Sequence, residues 1–292
     1  MPVPILDRSD NQAGRSLTPA ERVAIARDAS RPGTPDFIDA LFDDFFELRG
    51  DRLCAEDGSI LGGIALFHGR PVTVIGHRKG KTLEEHLKYH FGMPSPEGYR
   101  KAMRLMKQAE KFGRPVITFV DTPGAYPGLE AEARGQGDAI ARSLALMSHL
   151  KVPVISVVTG EGGSGGALAL AVGNYVIMLE NAVYSVLSPE GFAAILWKDS
   201  SRSSEACDVM KLTAADLHRF GVIDEIIKEP EGGMQERPKP VYRKLDAAIS
   251  RCLEDLEGLS GSQLAAARCR KFAAMGKPYL MTTAADEPEP EP

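Results

Sequence analysis

Five glycines within seven residues constrain this chain more than any other feature of its sequence. The stretch 157–173 reads VVTGEGGSGGALALAVG, an apolar run followed by a glycine loop and then a small-residue helix; the glycines are Gly160, Gly162, Gly163, Gly165 and Gly166. Glycine is needed where the backbone takes unusual dihedral angles, or where another group must approach the main chain closely. At a strand-to-helix turn, such a loop presents unpaired N–H donors. This density of glycine predicts an anion or oxyanion site rather than a simple packing turn.

Three known kinds of glycine loop can be tested against this stretch. A nucleotide P-loop requires Lys-Ser or Lys-Thr after its last glycine, and neither follows here. The dinucleotide fingerprint is weak, because no acidic residue ends a following second strand at the expected place. Gly162, Ser164 and Gly166 satisfy the G-x-S-x-G pattern of serine hydrolases, which needs a histidine and a carboxylate within reach of the serine. The only downstream histidine is His218, so a serine hydrolase remains the alternative function.

The composition excludes several classes of protein. The chain has 292 residues, of which 43% are hydrophobic and 26% charged, as in ordinary globular proteins. A net charge of −5 gives no reason to expect nucleic-acid binding, and no apolar run is long enough to span a bilayer. The four cysteines are scattered without metal-ligand spacing: Cys54, Cys207, Cys252 and Cys269. We therefore expect a cytoplasmic protein with no metal site and no membrane contact.

The chain divides into a polar N-terminal arm over residues 1–17, one domain over 18–277 and an acidic, proline-rich tail over 278–292. The arm is predicted to be loose and the tail disordered. Thr18-Pro19-Ala20-Glu21 is a capping box that opens a first helix. Thr34-Pro35 begins PDFIDALFDDFFEL, whose apolar residues recur at helical spacing and predict one continuous helix with a core or subunit-contact face: Phe37, Leu41, Phe45 and Leu48.

A rough internal repeat organises the middle of the chain. Arg70-Pro71-Val72, Arg114-Pro115-Val116 and Val152-Pro153-Val154 each begin an apolar run rich in β-formers, and the last two of these runs end in glycine loops. Strands that alternate with helices pair in parallel, and the loops after them gather at one edge of the sheet. We therefore expect the loops at 121–128 and 160–166 to line one cleft. The segments SILGGIALFHG and RPVTVIGH precede the second copy as a hairpin joined through Gly69-Arg70.

Helices and short strands account for the rest. Ser95-Pro96-Glu97 caps a helix that Gly113 ends, and HRKGKTLEEHLKYHFGMP before it is basic and partly irregular. NYVIMLENAVYSV supplies two short strands, Thr213 begins a helix, and VIDEII is a last strand. The core spans about 58–228, and two amphipathic helices follow within about 241–275.

Long blocks of the sequence carry a family resemblance. They include RPGTPDFIDALFDDFFELRGDR, FGMPSPEGYRKAMRLMKQAEKFGRPVITFVDTPGAYPG, GEGGSGGALALAVGN and YSVLSPEGFAAILWKD. From Thr18 to Gly276 the chain resembles the α subunit of the bacterial-type acetyl-CoA carboxylase carboxyltransferase. The resemblance implies an α/β fold of the crotonase type, a spiral of ββα units with flanking helices, in the superfamily that includes ClpP-like proteins.

The resemblance also implies a reaction and its partners. Members move a carboxyl group from carboxybiotin, held on a biotin carboxyl carrier protein, to acetyl-CoA, giving malonyl-CoA for fatty acid biosynthesis. Biotin is therefore expected on the carrier and not on this chain. An α2β2 heterotetramer with the carboxyltransferase β subunit is implied, with zinc only on that β subunit. ATP and biotin carboxylase are expected only in the holo-complex.

The site residues follow from the same resemblance. The backbone N–H groups of Gly165 and Gly166 are expected to form the oxyanion hole for biotin. The flanking substrate-binding positions are expected at Gly162, Gly163, Ser164, Pro123, Gly124 and Ala125. A side chain at Gly166 is expected to occupy the space that biotin needs. Asp121 is interpreted as a loop-capping carboxylate, and Glu161 and Glu190 as structural residues.

Overall fold

A computed structural model describes residues 16–276. The tail expected over 278–292 and all but the last two residues of the N-terminal arm lie outside the described residues. Within them, one sheet contains eight strands: β1 (Asp43–Glu47), β2 (Ile60–Phe67), β3 (Arg70–His77), β4 (Val116–Thr122), β5 (Val154–Gly163), β6 (Tyr175–Leu179), β7 (Val183–Ser185) and β8 (Glu225–Ile227).

Helices surround this sheet. In chain order they are α1 (Pro19–Ala26), α2 (Thr34–Leu41), α3 (Leu83–Lys88), α4 (Pro96–Lys111), α5 (Leu129–Ala133), α6 (Gln136–His149), α7 (Ser164–Leu168), α8 (Pro189–Trp197), α9 (Ser203–Met210), α10 (Ala214–Arg219), α11 (Pro238–Asp255) and α12 (Gly261–Ala274). Helix α4 packs against β2, β3 and α6, and α6 in turn packs against α12. Helix α2 packs against the same two strands and against α11.

The sheet is mixed. Its order is β1-β2-β3-β4-β5-β6-β8, with β7 paired to the end of β5. The pairs β1–β2 and β2–β3 are antiparallel, whereas β3, β4, β5, β6 and β8 run parallel. All seven residues of β4 and the first seven of β5 are buried. Central parallel strands covered on both faces require such continuous apolar runs.

The repeat predicted from sequence is confirmed by the strand registers. Val116 of β4 lies opposite Val154 of β5, so the second and third copies align at equivalent residues. Thr73 of β3 lies opposite Val116, so the first copy is shifted by one residue. The β2–β3 hairpin is also confirmed. It turns at His68 and Gly69, whose positive φ angles of 48° and 78° match a two-residue hairpin turn. The glycine loops after β4 and β5 therefore meet at one edge.

The continuous helix predicted from Thr34 to Leu48 is wrong beyond Leu41. Helix α2 ends there, Phe42 turns to extended backbone, and β1 adds an edge strand beside β2. The physical reason is a long-range pairing that local spacing cannot reveal. The Leu48 N–H donates to the Gly62 carbonyl, and a Cβ at Gly63 would overlap the Phe46 carbonyl oxygen. Phe45 and Leu48 still pack against the core, but from a strand and its end.

Three smaller elements differ from expectation. The basic stretch after β3 contains a short helix, α3, which Thr82 opens with a capping box. Helix α7 has only five residues, and β8 covers only three residues of the predicted VIDEII strand. The helices predicted after Ser95, after Thr213 and near the C-terminus are confirmed.

A matched pair of glycine substitutions tests the packing at the end of β5. A Cβ at Gly163 would overlap the Pro123 carbonyl, whereas a Cβ at Gly137 in α6 meets nothing within 4 Å. Gly163→Ala should lower the free energy of unfolding by about 3 kcal/mol or more, because backbone atoms must move. Gly137→Ala should leave it unchanged or raise it by up to about 1 kcal/mol. Urea unfolding measures both, and equal small effects would contradict the described packing.

Candidate active site

The loops that follow β4 and β5 touch each other through their backbones. Gly163, the last residue of β5, packs on the Pro123 carbonyl. A Cβ at Gly166 would lie 2.5 Å from the Ala125 nitrogen and 2.6 Å from the Gly124 carbonyl carbon. The loops can approach this closely only because Gly163 and Gly166 have no side chain. The structure therefore brings together the two segments that the sequence predicted to share a cleft.

Gly166 faces the protein on its Cβ side. It is buried, and the space beside it holds Gly124, Ala125 and the Tyr99 hydroxyl. The sequence suggests that a side chain at Gly166 would displace biotin. The structure gives a different reason for glycine at this position, which is the packing of the two loops. A Cβ at Gly166 would first collide with the neighbouring loop.

Gly165 and Ser164 form the open part of the loop. Ser164 is exposed and Gly165 half-buried. A Cβ at Gly165 would touch only the Ile140 Cγ2 atom, at an ordinary 3.5 Å. No side chain of residues 16–276 caps the start of α7, and the first N–H groups of a helix have no intrahelical acceptor. This short stretch of backbone can therefore offer N–H donors to a group that approaches it.

The loop after β4 is held by its own threonine. The Thr122 hydroxyl donates to the Gly124 carbonyl at 2.7 Å and accepts the Gly124 N–H at 3.0 Å. Gly124 has a φ of 152°, which side chains disfavour. Pro123 is exposed, Gly124 buried and Ala125 half-buried. The loop thus has a fixed shape with Pro123 at its surface.

A chain of ion pairs fixes the carboxyl ends of the strands. Asp121 accepts the backbone N–H of Glu161 at 2.9 Å and pairs with the Lys79 ammonium at 2.6 Å. Lys79 also contacts Glu161 at 3.2 Å, and Arg27 joins Glu161 to Glu190 with two contacts of 2.7 Å. Burial lowers the pKa of Lys79, but attraction to its two carboxylates outweighs it and raises the pKa. These contacts tie Asp121, Glu161 and Glu190 to neighbouring elements.

His77 lies at the end of β3 and is almost fully buried. Its Nδ1 accepts the Asp121 N–H at 3.4 Å, which places the ring proton on Nε2. Burial lowers the pKa of His77 to about 4, against smaller raising effects of the Asp121 charge and of the Phe119 and Gly166 backbones. The Lys79 charge acts in the same direction as burial. The ring is therefore neutral at pH 7.

Carboxylates lie close to the basic run that follows β3. A cavity of about 500 Å³ beside it is lined by Arg78, Lys79 and Lys81 but also by several carboxylates. Lys81 pairs with Asp36 at 2.6 Å, and Arg78 donates to the Gly58 carbonyl and stacks over Tyr89. Lys79 and Lys81 are therefore paired with carboxylates, and the Arg78 guanidinium lies 4.0 Å from the Glu47 carboxylate.

The geometry of Ser164 separates the two functions considered from sequence. Ser164 has a φ of 55°, the kind of sharp strand-to-helix turn that a nucleophilic serine uses. Among residues 16–276, however, no histidine hydrogen-bonds to its hydroxyl, and His218 lies on the separate helix α10. The same residues contain no group of histidine, cysteine or acidic side chains fit for a metal. No helix within them is long and apolar enough to cross a membrane.

Comparison with known sequences identifies the family. Residues 6–276 match the profile of the family described as acetyl co-enzyme A carboxylase carboxyltransferase-like. The chain belongs to this family. It is 57% identical over 263 residues to the acetyl-coenzyme A carboxylase carboxyl transferase subunit alpha of Clostridium acetobutylicum, spanning 90% of this chain and 96% of that protein. The protein of the same description from Anoxybacillus flavithermus is 56% identical, over 93% of this chain and 83% of that one.

Solved structures confirm the crotonase-type α/β fold. A transcarboxylase 12S structure with methylmalonyl-coenzyme A bound superimposes with a TM-score of 0.63 at 21% identity, over 80% of this chain and 44% of that one. The beta subunit of geranyl-CoA carboxylase from P. aeruginosa gives 0.61 at 16% identity, over 86% and 49%. This chain thus spans less than half of either neighbour. None of these relatives supports the serine hydrolase alternative.

The contacts of several residues at the site are not evident from the sequence. Tyr99 and His77 come from segments far from the glycine loop, yet both lie beside Gly166. Tyr99 lies on the buried face of α4. Lys79 was seen only as one of several basic residues. The spacing of charged residues along the chain gives no signal for contacts between strand ends.

The burial of His77 predicts a pH dependence of stability. The unfolded chain binds a proton on His77 below about pH 6.5, whereas the folded chain binds it only near pH 4. The free energy of unfolding should therefore fall as pH is lowered through this window, by on the order of 2 kcal/mol between pH 7 and 4.5. The free energy of unfolding of the His77→Asn variant should fall less between pH 7 and 4.5. Urea unfolding at both pH values measures the difference, and equal losses would contradict a neutral buried His77.

Proposed function

We propose that this chain is the α subunit of an acetyl-CoA carboxylase carboxyltransferase. It transfers the carboxyl group of carboxybiotin, on the biotin carboxyl carrier protein, to acetyl-CoA and so forms malonyl-CoA for fatty acid biosynthesis. Family membership and identities of 56–57% to proteins of that description support the assignment. The observation that carries it is the glycine loop, whose backbone donors lie in the cleft between two strand ends.

The residues fit a ligand that gathers negative charge. When bound, biotin supplies the carboxyl group and a ureido oxygen that becomes more negative as that group leaves. The loop meets this oxygen with peptide N–H groups at Gly165 and Gly166, while Gly162, Gly163 and the Pro123–Ala125 segment shape the cleft. Such donors need no reorganisation during reaction, which makes them effective at stabilising charge. No side chain of the loop has to change its protonation state.

The surrounding residues keep the donors in place. Asp121 fixes the Glu161 peptide directly before the loop, and Lys79 and Arg27 neutralise the carboxylates there. Thr122 holds Gly124 against the other side of the cleft. The chain's contribution to catalysis is thus a rigid, uncharged donor surface within a balanced set of charges.

The proposal includes a partner. The β subunit supplies the second oxyanion hole, for the thioester, together with the zinc site and most contacts to CoA. An α2β2 heterotetramer works in the cytoplasm with the carrier protein and biotin carboxylase. Apolar side chains exposed on the neighbouring helices α8 and α9 support a protein contact: Ile195, Leu196 and Val209 are 62%, 60% and 53% exposed.

Reconstitution tests this function. The purified chain alone should show no carboxyl transfer, because it holds one of the two required donor sites. Mixed with the β subunit, it should carboxylate acetyl-CoA from carboxybiotin and decarboxylate malonyl-CoA in the presence of a biotin derivative. The β subunit alone is the control. Turnover by a chain shown by mass spectrometry to be free of partner would contradict the proposal. So would covalent labelling of Ser164 by a phosphonate, which is expected of a serine hydrolase.

A further inference from the structure

Tyr99 places a hydroxyl group beside Gly166. The residue lies on α4 and is fully buried, and its hydroxyl has no hydrogen-bond partner among residues 16–276. A Cβ at Gly166 would lie only 2.9 Å from the hydroxyl oxygen. Burial raises the pKa of Tyr99 far above its usual value, so the hydroxyl keeps its proton. Tyr99 is therefore a neutral donor on the protein side of the glycine loop.

His77 supplies a second donor at the same place. Its Nδ1 is occupied by the Asp121 N–H, so Nε2 carries the proton. Nε2 is buried and also lacks a hydrogen-bond partner within the described residues. The Gly166 backbone nevertheless lies close enough to affect its pKa. Two neutral donors from different elements, β3 and α4, thus converge on one glycine.

Such convergence requires an explanation. A buried donor without an acceptor destabilises the folded chain, so each one in a native protein usually has a reason. Nine of the described residues carry a buried side-chain polar atom without a hydrogen-bond partner, donors and acceptors taken together. Of these, Tyr99 and His77 are the ones whose contacts reach the loop proposed to stabilise charge. A donor that forms a hydrogen bond to a loop carbonyl polarises that peptide group. The hydrogen bonds of the neighbouring peptide groups then become stronger.

We infer that Tyr99 and His77 are positioning residues, which orient the Gly165 and Gly166 peptide groups for the negative charge that develops on the substrate. The inference rests on the proposed function and names residues of that same site. Neither side chain touches substrate, because both are buried beneath the loop. Neither donor has an acceptor among the described residues, so each is free to form a hydrogen bond to the loop backbone when the substrate draws on the N–H groups of the loop.

Tyr99→Phe is the direct test, in the complex assembled with the β subunit. It removes only the hydroxyl, so the melting temperature should stay unchanged or rise as an unpartnered buried group is lost. The value of kcat should fall about fivefold, the effect of one ordinary hydrogen bond, with KM for malonyl-CoA within about twofold. Tyr242→Phe is the matched control: this half-buried tyrosine packs on Phe37, away from the loop, and should leave kcat unchanged.

Substitutions of His77 distinguish the roles of its two ring nitrogens. Asn can accept the Asp121 N–H as Nδ1 does but cannot reach Gly166, whereas the longer Gln places an N–H donor near the position of Nε2. His77→Gln should therefore retain more of kcat than His77→Asn. In the double variant Tyr99→Phe/His77→Asn the losses should be less than multiplicative, because both donors act on the same peptide groups.

The outcomes of these measurements distinguish the inference from the proposed function on which it rests. If the wild-type complex transfers no carboxyl group, the proposed function fails and the inference with it. If the wild-type complex is active and Tyr99→Phe keeps full kcat, the inference is overturned and the function stands. A fall in kcat that only follows a fall in melting temperature would also overturn it, since the hydroxyl would then be structural.

Discussion

The close approach of two backbone loops is the constraint on which the rest of this structure depends. Gly163 rests on the Pro123 carbonyl and Gly166 on the Gly124–Ala125 peptide, with no room for a side chain at either contact. Parallel strands place their following loops at one edge, but only glycine lets those loops touch. This packing fixes the backbone around Gly166 and leaves the neighbouring Ser164 exposed and Gly165 half-buried.

The charged side chains around the loops also hold the loop backbones in fixed positions. Lys79, Asp121 and Glu161 join the ends of β3, β4 and β5, and Arg27 extends the chain of ion pairs to α1 and α8. Partly buried pairs of this kind stabilise little in themselves, but breaking one leaves an unpaired charge. Their position at the start of the glycine loop suits them to fix its backbone, and we propose that the chemistry is left to neutral peptide groups.

The sequence predicts the centre of this fold better than its edge. Strands β3, β4 and β5 are buried on both faces, so their apolar runs and repeated Pro-Val starts are visible in the sequence. Strand β1 was mistaken for helix, because its residues keep helical spacing while its pairing depends on Gly62 and Gly63. The glycine loop was likewise evident locally. The contacts of Tyr99, His77 and Lys79 with it depend on tertiary packing, which spacing does not encode.

The central claim is that backbone groups, not the serine side chain, stabilise the developing charge. The most direct measurement compares carboxyl transfer by Ser164→Ala, Gly165→Ala and Gly165→Val in the complex with the β subunit, with folding checked by circular dichroism. Gly165 has open space beside it, so its variants should fold. Ser164→Ala should keep most of the rate, whereas Gly165→Val should lose on the order of a hundredfold by screening a donor, and Gly165→Ala should lie between. A folded Ser164→Ala complex without activity, beside a Gly165→Val complex at full rate, would contradict the account.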